Sequence, residues 1–240
     1  MDRRSLLRTL GLPAGAALLS VTLRGPADKA VASPLKACHP ENPLAALKAG
    51  NARFIALEQR LRTIKDSARR QQVLADHVLD NCHLGAMVLK EGQAPWAGIV
   101  TCADSRVPPE WVFDTSPGDL FVVRSAGNTA FDDAVASMEY AVSALGMKLI
   151  VVMGHSGCGA VSAAIEQDPL TPLLTQLVQP IRAAIPQGLQ DLPQAIRRNA
   201  EAAADTMVSK SALLASAVAA GDLQISSAVF DIASSRVTFL

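Results

Sequence analysis

The segment Cys102-Ala103-Asp104-Ser105-Arg106 directly follows one short apolar run, and His155-Ser156-Gly157-Cys158 directly follows another. The two apolar runs, 96–101 and 149–153, are each predicted to form a short buried strand. In an open parallel sheet the carboxyl ends of the strands lie together, and ligands bind at that edge. We therefore expect the polar side chains of the two segments to meet at one edge of a sheet.

The side chains of Cys102, His155 and Cys158 have the chemistry of a zinc site. Two thiolates and one imidazole provide three of the four ligands that zinc prefers, and a catalytic site keeps the fourth position for water. The alternatives are a closed structural site or a pair of buried thiols. A closed site needs a fourth Cys or His in a paired spacing, which neither Cys38 nor Cys82 has. With no second cluster in the sequence, the pattern predicts one Zn²⁺ per chain.

Asp104 and Arg106 follow Cys102 at alternate positions, so the three side chains can face one point in extended chain. A guanidinium group can hold a carboxylate in one orientation with two hydrogen bonds. We therefore predict a catalytic pair in which Arg106 orients Asp104 and Asp104 accepts a proton from water on the metal. Asp104 is also predicted as a conditional fourth metal ligand, in a closed state favoured at low pH. The alternative is a surface ion pair of little consequence.

The alternation of strands and helices predicts an α/β fold. Predicted strands cover 97–102, 120–124 and 148–153, and predicted helices cover 132–145 and 159–167. Such an order gives a mostly parallel central sheet flanked by helices. A hairpin of strands 223–230 and 236–240 is expected at the sheet edge, after helix-rich segments at 171–185 and 192–220. An N-terminal helical extension is expected from Asn42, with a second, more polar helix over 61–80.

Three motifs together resemble those of the β-class carbonic anhydrases, and the likeness extends over roughly residues 42–240. They are C-A-D-S-R-V-P-P-E from Cys102, G-D-L-F-V-V-R-S-A-G-N from Gly118 and G-H-S-G-C-G-A-V from Gly154. The resemblance is the main reason to expect a catalytic zinc. It implies reversible hydration of carbon dioxide to bicarbonate and a proton, by attack of zinc-bound hydroxide, in a homodimer or homotetramer. It also implies N-terminal helices that lie across a partner subunit, and packing on their own domain is the alternative. Arg124 resembles a family position linked to bicarbonate or interface contacts, and an interface salt bridge is the alternative.

Two other functions remain open at the level of the sequence. The same scaffold could hydrolyse carbonyl sulfide or carbon disulfide, depending on access to the site. A zinc-binding or redox-sensing protein without turnover is the third possibility, and the Asp104–Arg106 pair argues against it. The sequence contains 22 Lys and Arg and 22 Asp and Glu. A zero net charge gives no global basic field, so no nucleic acid partner is expected.

The N-terminus has the layout of an export signal. Arg3-Arg4 precedes an apolar stretch, 11–23, and Ala30-Val31-Ala32 offers a cleavage site. We predict a cleaved twin-arginine signal peptide at 1–32, a catalytic domain at 33–240, and a periplasmic or otherwise exported protein without a stable membrane span. The alternative is a cytoplasmic protein with a basic N-terminus. Cys38 and Cys82 are either free thiols, the favoured expectation, or one bridge in an oxidising compartment.

Overall fold

A five-stranded sheet with the order β2-β1-β3-β4-β5 forms the centre of the computed structural model. The structure describes residues 33–79, 81–166 and 168–240, so the predicted signal peptide at 1–32 lies outside the described residues. The strands are β1 Ala97–Cys102, β2 Leu120–Ser125, β3 Leu149–His155, β4 Gln224–Asp231 and β5 Arg236–Phe239. Strands β1 to β4 are parallel to one another, and β5 is antiparallel to β4. The predicted fold class and the edge hairpin are confirmed.

The two central strands are buried along their whole length, which explains their continuous apolar sequences. Side chains alternate between the two faces of the sheet. Val100 and Val152 contribute to a core on one face, and Ile99 and Val151 to a core on the other. Helices therefore cover both faces, as the sequence of strands and helices predicts.

The helices surround the sheet. They are α1 Pro43–Thr63, α2 Ser67–Leu79, α3 Ala86–Leu89, α4 Pro109–Val112, α5 Asp132–Ser143, α6 Gly159–Glu166, α7 Pro172–Ala184, α8 Leu192–Lys210 and α9 Ala212–Ala219, with a short 3-10 helix at Pro34–Lys36. The predicted helix-rich segment 192–220 consists of two helices, α8 and α9, because Ser211 lies between them. The Ser211 hydroxyl accepts a hydrogen bond from Leu214 N and caps α9. No helix in the described ranges is both long and apolar enough to cross a membrane.

The N-terminal helical extension is present, but its internal boundary was predicted wrongly. Asn42 caps α1 as expected, with its Oδ1 accepting a hydrogen bond from Ala45 N. The first helix then continues to Thr63, and the second begins at Ser67 instead of residue 61. Asp66 caps the N-terminus of α2, since its carboxylate accepts a hydrogen bond from Arg69 N.

Helix α1 packs on its own chain. The Asn51 side chain is buried, donates to the carbonyls of Val112 and Ser235, and accepts from Val237 N. A Cβ atom at Gly50 would lie 1.8 Å from the Phe113 carbonyl oxygen, so the helix backbone is in direct contact with the turn after α4. Buried hydrogen bonds and backbone contact therefore fix α1 to its own domain.

Cys38 and Cys82 form a disulfide, with their Cα atoms 5.7 Å apart. The favoured expectation of two free thiols is therefore wrong. The bond joins the chain just before α1 to the chain just after α2. The sequence contains both cysteines but not the distance between them, and only the packing of the two helices brings their Cα atoms within bonding range.

Candidate metal centre

The three predicted ligands converge at the carboxyl edge of the sheet. Cys102 is the last residue of β1, His155 is the last residue of β3, and Cys158 immediately precedes α6. Because β1 and β3 are adjacent and parallel, their ends lie side by side. The ligand atoms of the three residues all lie within 4.8 Å of one another, and all three residues are buried. The turn between His155 and Cys158 depends on Gly157, whose φ of 67° favours glycine.

The imidazole of His155 is arranged as a metal ligand. Its Nδ1 lies 3.1 Å from the Ser156 carbonyl oxygen, which can only accept, so Nδ1 carries the proton and donates. Its Nε2 then has a free lone pair, is fully buried and has no hydrogen-bond partner among the described residues. A buried polar atom without a partner is costly. A metal ion bound at Nε2 removes that cost, so the imidazole fits zinc.

The two thiols have complementary proton affinities. Their mutual hydrogen bond is the largest influence on both: it lowers the pKa of Cys102 and raises the pKa of Cys158. A backbone hydrogen bond from Gly127 also lowers the pKa of Cys102. Cys102 therefore loses its proton more readily than Cys158. A divalent cation that binds both sulfurs displaces the thiol protons, which is the usual coupling between metal binding and proton release at thiols.

Asp104 and Arg106 form the two-pronged pair that the sequence predicts. Arg106 Nε lies 2.9 Å from Asp104 Oδ1, and Nη2 lies 2.6 Å from Oδ2. These bonds hold the pKa of Asp104 well below its usual range. Asp104 Oδ2 is 3.9 Å from His155 Nε2, so the carboxylate borders the ligand group while it is paired to the guanidinium.

Comparison with known proteins decides the family. The profile of the carbonic anhydrase family matches residues 97–237, which include the whole ligand group. "Carbonic anhydrase 2" of Mycobacterium tuberculosis is 34% identical over 195 residues, covering 77% of this chain and 86% of that protein. The chain belongs to the β-carbonic anhydrase family.

Solved structures agree with this assignment. A tetrameric β-carbonic anhydrase of the filamentous ascomycete Sordaria macrospora is similar with a TM-score of 0.58 and 28% identity, over 63% of this chain and 83% of that chain. The Coccomyxa β-carbonic anhydrase in complex with acetazolamide also has a TM-score of 0.58, with 30% identity, over 65% of this chain and 76% of that chain.

Arg124 of this carbonic anhydrase holds the backbone of the metal site. Its Nε donates to the Cys102 carbonyl at 3.0 Å, and its Nη2 donates to the Asp104 carbonyl at 2.6 Å. The side chain therefore ties β2 to the segment that carries one metal ligand and the carboxylate. Sequence reasoning associated Arg124 with bicarbonate or a subunit interface, and neither predicts these two contacts within the chain.

Two further residues contribute to the site in ways that the sequence does not predict. Gly127 N lies 3.3 Å from Cys102 Sγ, and Asn199 Nδ2 lies 2.8 Å from the Gly127 carbonyl oxygen. Gly127 belongs to the motif that begins at Gly118, but that motif does not predict its contact with the sulfur. Asn199 lies in the middle of an amphipathic helix, where a single asparagine has no pattern that distinguishes it from a surface residue.

Proposed function

We propose that this β-carbonic anhydrase binds one zinc ion through Cys102, His155 and Cys158 and catalyses the reversible hydration of carbon dioxide to bicarbonate and a proton. The observation that carries the proposal is the buried Nε2 of His155, which has no hydrogen-bond partner among the described residues and lies within 4.8 Å of two buried sulfurs. Bound there, a zinc ion supplies an acidified water molecule as the nucleophile near neutral pH.

Asp104 has an orienting role in this proposal. Its pKa is depressed by Arg106, so the carboxylate is ionised across the working range and accepts a hydrogen bond from the reacting water. Such a weakly basic group does not keep the proton, which therefore passes on to solvent. This differs from the expectation that Asp104 takes the proton itself. Arg106, with both prongs engaged, fixes the direction of the acceptor lone pair.

We retain the proposal that Asp104 is a conditional fourth ligand. The arrangement in the structure, with the carboxylate paired to Arg106, supports the open state. In the closed state Asp104 leaves Arg106 and occupies the fourth position. Crystal structures of the zinc protein well below and well above neutral pH test this. Asp104 should replace the solvent ligand at the acid end. A solvent ligand that stays on zinc at that end, with Asp104 still paired to Arg106, would exclude the switch.

The main experiment measures metal and turnover on one sample. Purified protein should contain one zinc per chain by elemental analysis and should hydrate carbon dioxide in stopped-flow assays. Cys158→Ala should lose zinc and activity together. The matched control is the double variant Cys38→Ser/Cys82→Ser, which removes two cysteines outside the ligand group and should keep both. Full activity in metal-free Cys158→Ala would refute the zinc assignment.

We propose that the protein is a homodimer or a homotetramer. The tetrameric assembly named for the Sordaria macrospora relatives supports an oligomer, and closed symmetric assemblies are the common form of soluble oligomers. Light scattering at the concentration of the activity assay tests the proposal. A fully active monomer would contradict it.

We also propose export through the twin-arginine route. The Cys38–Cys82 disulfide supports an oxidising destination, because such bonds are rare in reducing compartments. Loading of zinc before export of the folded protein would protect the two ligand thiols from oxidation. N-terminal sequencing of the mature protein should begin near Ser33, and replacing Arg3 and Arg4 with lysine should block translocation. Functional cytosolic protein with an intact N-terminus in the native host would refute export.

A further inference from the structure

A backbone N–H group is directed at one of the two metal-site sulfurs. Gly127 follows the end of β2, and its nitrogen lies 3.3 Å from Cys102 Sγ, within the range of a hydrogen bond to sulfur. A hydrogen bond to a metal-bound thiolate withdraws charge from the sulfur, and such bonds are one of the ways in which a protein adjusts the electronic properties of a metal.

The close approach of Gly127 to the site depends on its lack of a side chain. Its φ is 77°, in the region that favours glycine. A Cβ atom there would lie 2.5 Å from Cδ1 of Ile181 and 3.1 Å from Cβ of Ala160. The peptide is therefore enclosed between α6 and α7 on one side and the sulfur on the other.

The opposite end of the same residue is held by a buried amide. Asn199 lies on α8 and is 3% exposed. Its Nδ2 donates to the Gly127 carbonyl oxygen at 2.8 Å and to Asn128 Oδ1 at 3.3 Å. Asn128 is itself buried, with a φ of 47°, which is uncommon for a residue other than glycine. The Asn199 amide thus fixes two consecutive residues whose backbone conformations are both of the left-handed type.

Helix α8 is rigidly placed against the metal site. A Cβ atom at Gly154, the residue before His155, would lie 3.1 Å from Cγ2 of Ile196. Ile196 and Asn199 are one turn apart on α8, so one face of the helix contacts the backbone beside two different metal ligands.

We propose that Asn199 is a positioning residue of the zinc centre, which aims the Gly127 N–H at Cys102 Sγ and thereby reduces the charge that this thiolate donates to the metal. The proposal rests on the zinc site proposed above. It predicts that, without the Asn199 donor, the backbone at Gly127 changes conformation and its N–H group turns away from the sulfur. Cys102 then donates more charge, the metal becomes less electrophilic, and hydration of carbon dioxide slows.

The test replaces zinc with cobalt(II), whose thiolate-to-metal charge-transfer absorption reports directly on the sulfur. Asn199→Leu removes the donor at similar volume, and Asn199→Asp keeps the side-chain shape but cannot donate when ionised. In both variants the charge-transfer band should move to longer wavelength than in the wild type, because a sulfur without its hydrogen bond gives up an electron more easily. Turnover of the zinc forms should fall by about 10-fold, the usual scale for loss of an outer hydrogen-bond partner of a metal ligand.

The control separates this effect from a general loss of packing. Met207 is fully buried two turns further along α8. It belongs to the hydrophobic core that contains Val100 and Val152. Met207→Ala should lower the melting temperature but leave the cobalt band in place. An unshifted band in folded Asn199→Leu and Asn199→Asp would overturn the proposal. Failure of the wild type to bind either metal would instead overturn the zinc site itself.

Discussion

Removal of the Cys38–Cys82 disulfide should destabilise the protein by an amount that can be calculated from the chain length it closes. The two cysteines are 44 residues apart. The loop-closure relation for cross-linked chains then gives about 4 kcal/mol at 25 °C as the entropy removed from the unfolded state. Because real unfolded chains are compact and retain structure, the expected loss on replacement by serine is about 2–4 kcal/mol.

The assay is equilibrium unfolding in urea of the wild type and of Cys38→Ser/Cys82→Ser, without reductant, at equal protein and zinc concentrations. Equal concentrations are needed because bound metal and association both add to apparent stability. For a chain of this size the expected loss lowers the melting temperature by roughly 5–15 °C. Carbon dioxide hydration at 25 °C and zinc content should not change, since neither cysteine belongs to the ligand group.

The single variants provide the internal control. Either Cys38→Ser or Cys82→Ser alone breaks the bond, so each should lose nearly as much stability as the double variant, and the losses should not add. A double variant within about 0.5 kcal/mol of the wild type, the range of ordinary surface substitutions, would refute the reasoning.

Three further predictions concern single side chains. Asn51→Leu should destabilise the fold by about 3–5 kcal/mol in urea unfolding, because two buried carbonyls and one partly buried N–H group lose their partners. A change below about 1 kcal/mol would show that α1 does not depend on these hydrogen bonds. Arg106→Lys, which cannot bind Asp104 with a planar fork, should lower kcat/KM about 10–100-fold at unchanged zinc content; wild-type turnover would exclude the orienting role. Arg124→Met should release the carbonyls of Cys102 and Asp104 and lower kcat/KM about 10-fold. The control is Arg197→Met, because Arg197 makes no side-chain hydrogen bond among the described residues.

The sequence alone was sufficient to predict the fold class and the three candidate metal ligands. Both inferences depend on short-range patterns. A continuous apolar run predicts a buried strand, and parallel strands place their carboxyl ends at one edge, so Cys102 and His155 were expected to meet although they lie in separate segments. The Asp104–Arg106 pair was predictable for the same reason, since its two members are two residues apart.

Contacts between distant residues were decided only by the tertiary structure. Three examples are the Cys38–Cys82 disulfide, the hydrogen bonds from Arg124 to two carbonyls, and the hydrogen bond from Asn199 to Gly127. Each joins segments that share no local sequence pattern. The boundary between α1 and α2 was also missed, because a capping aspartate at residue 66 resembles other polar residues in a helical stretch. Local periodicity reports which face of an element is buried, but not which partner covers it. Distances between side chains far apart in the chain are set by the packing of whole helices on the sheet, and they exist only in the folded molecule.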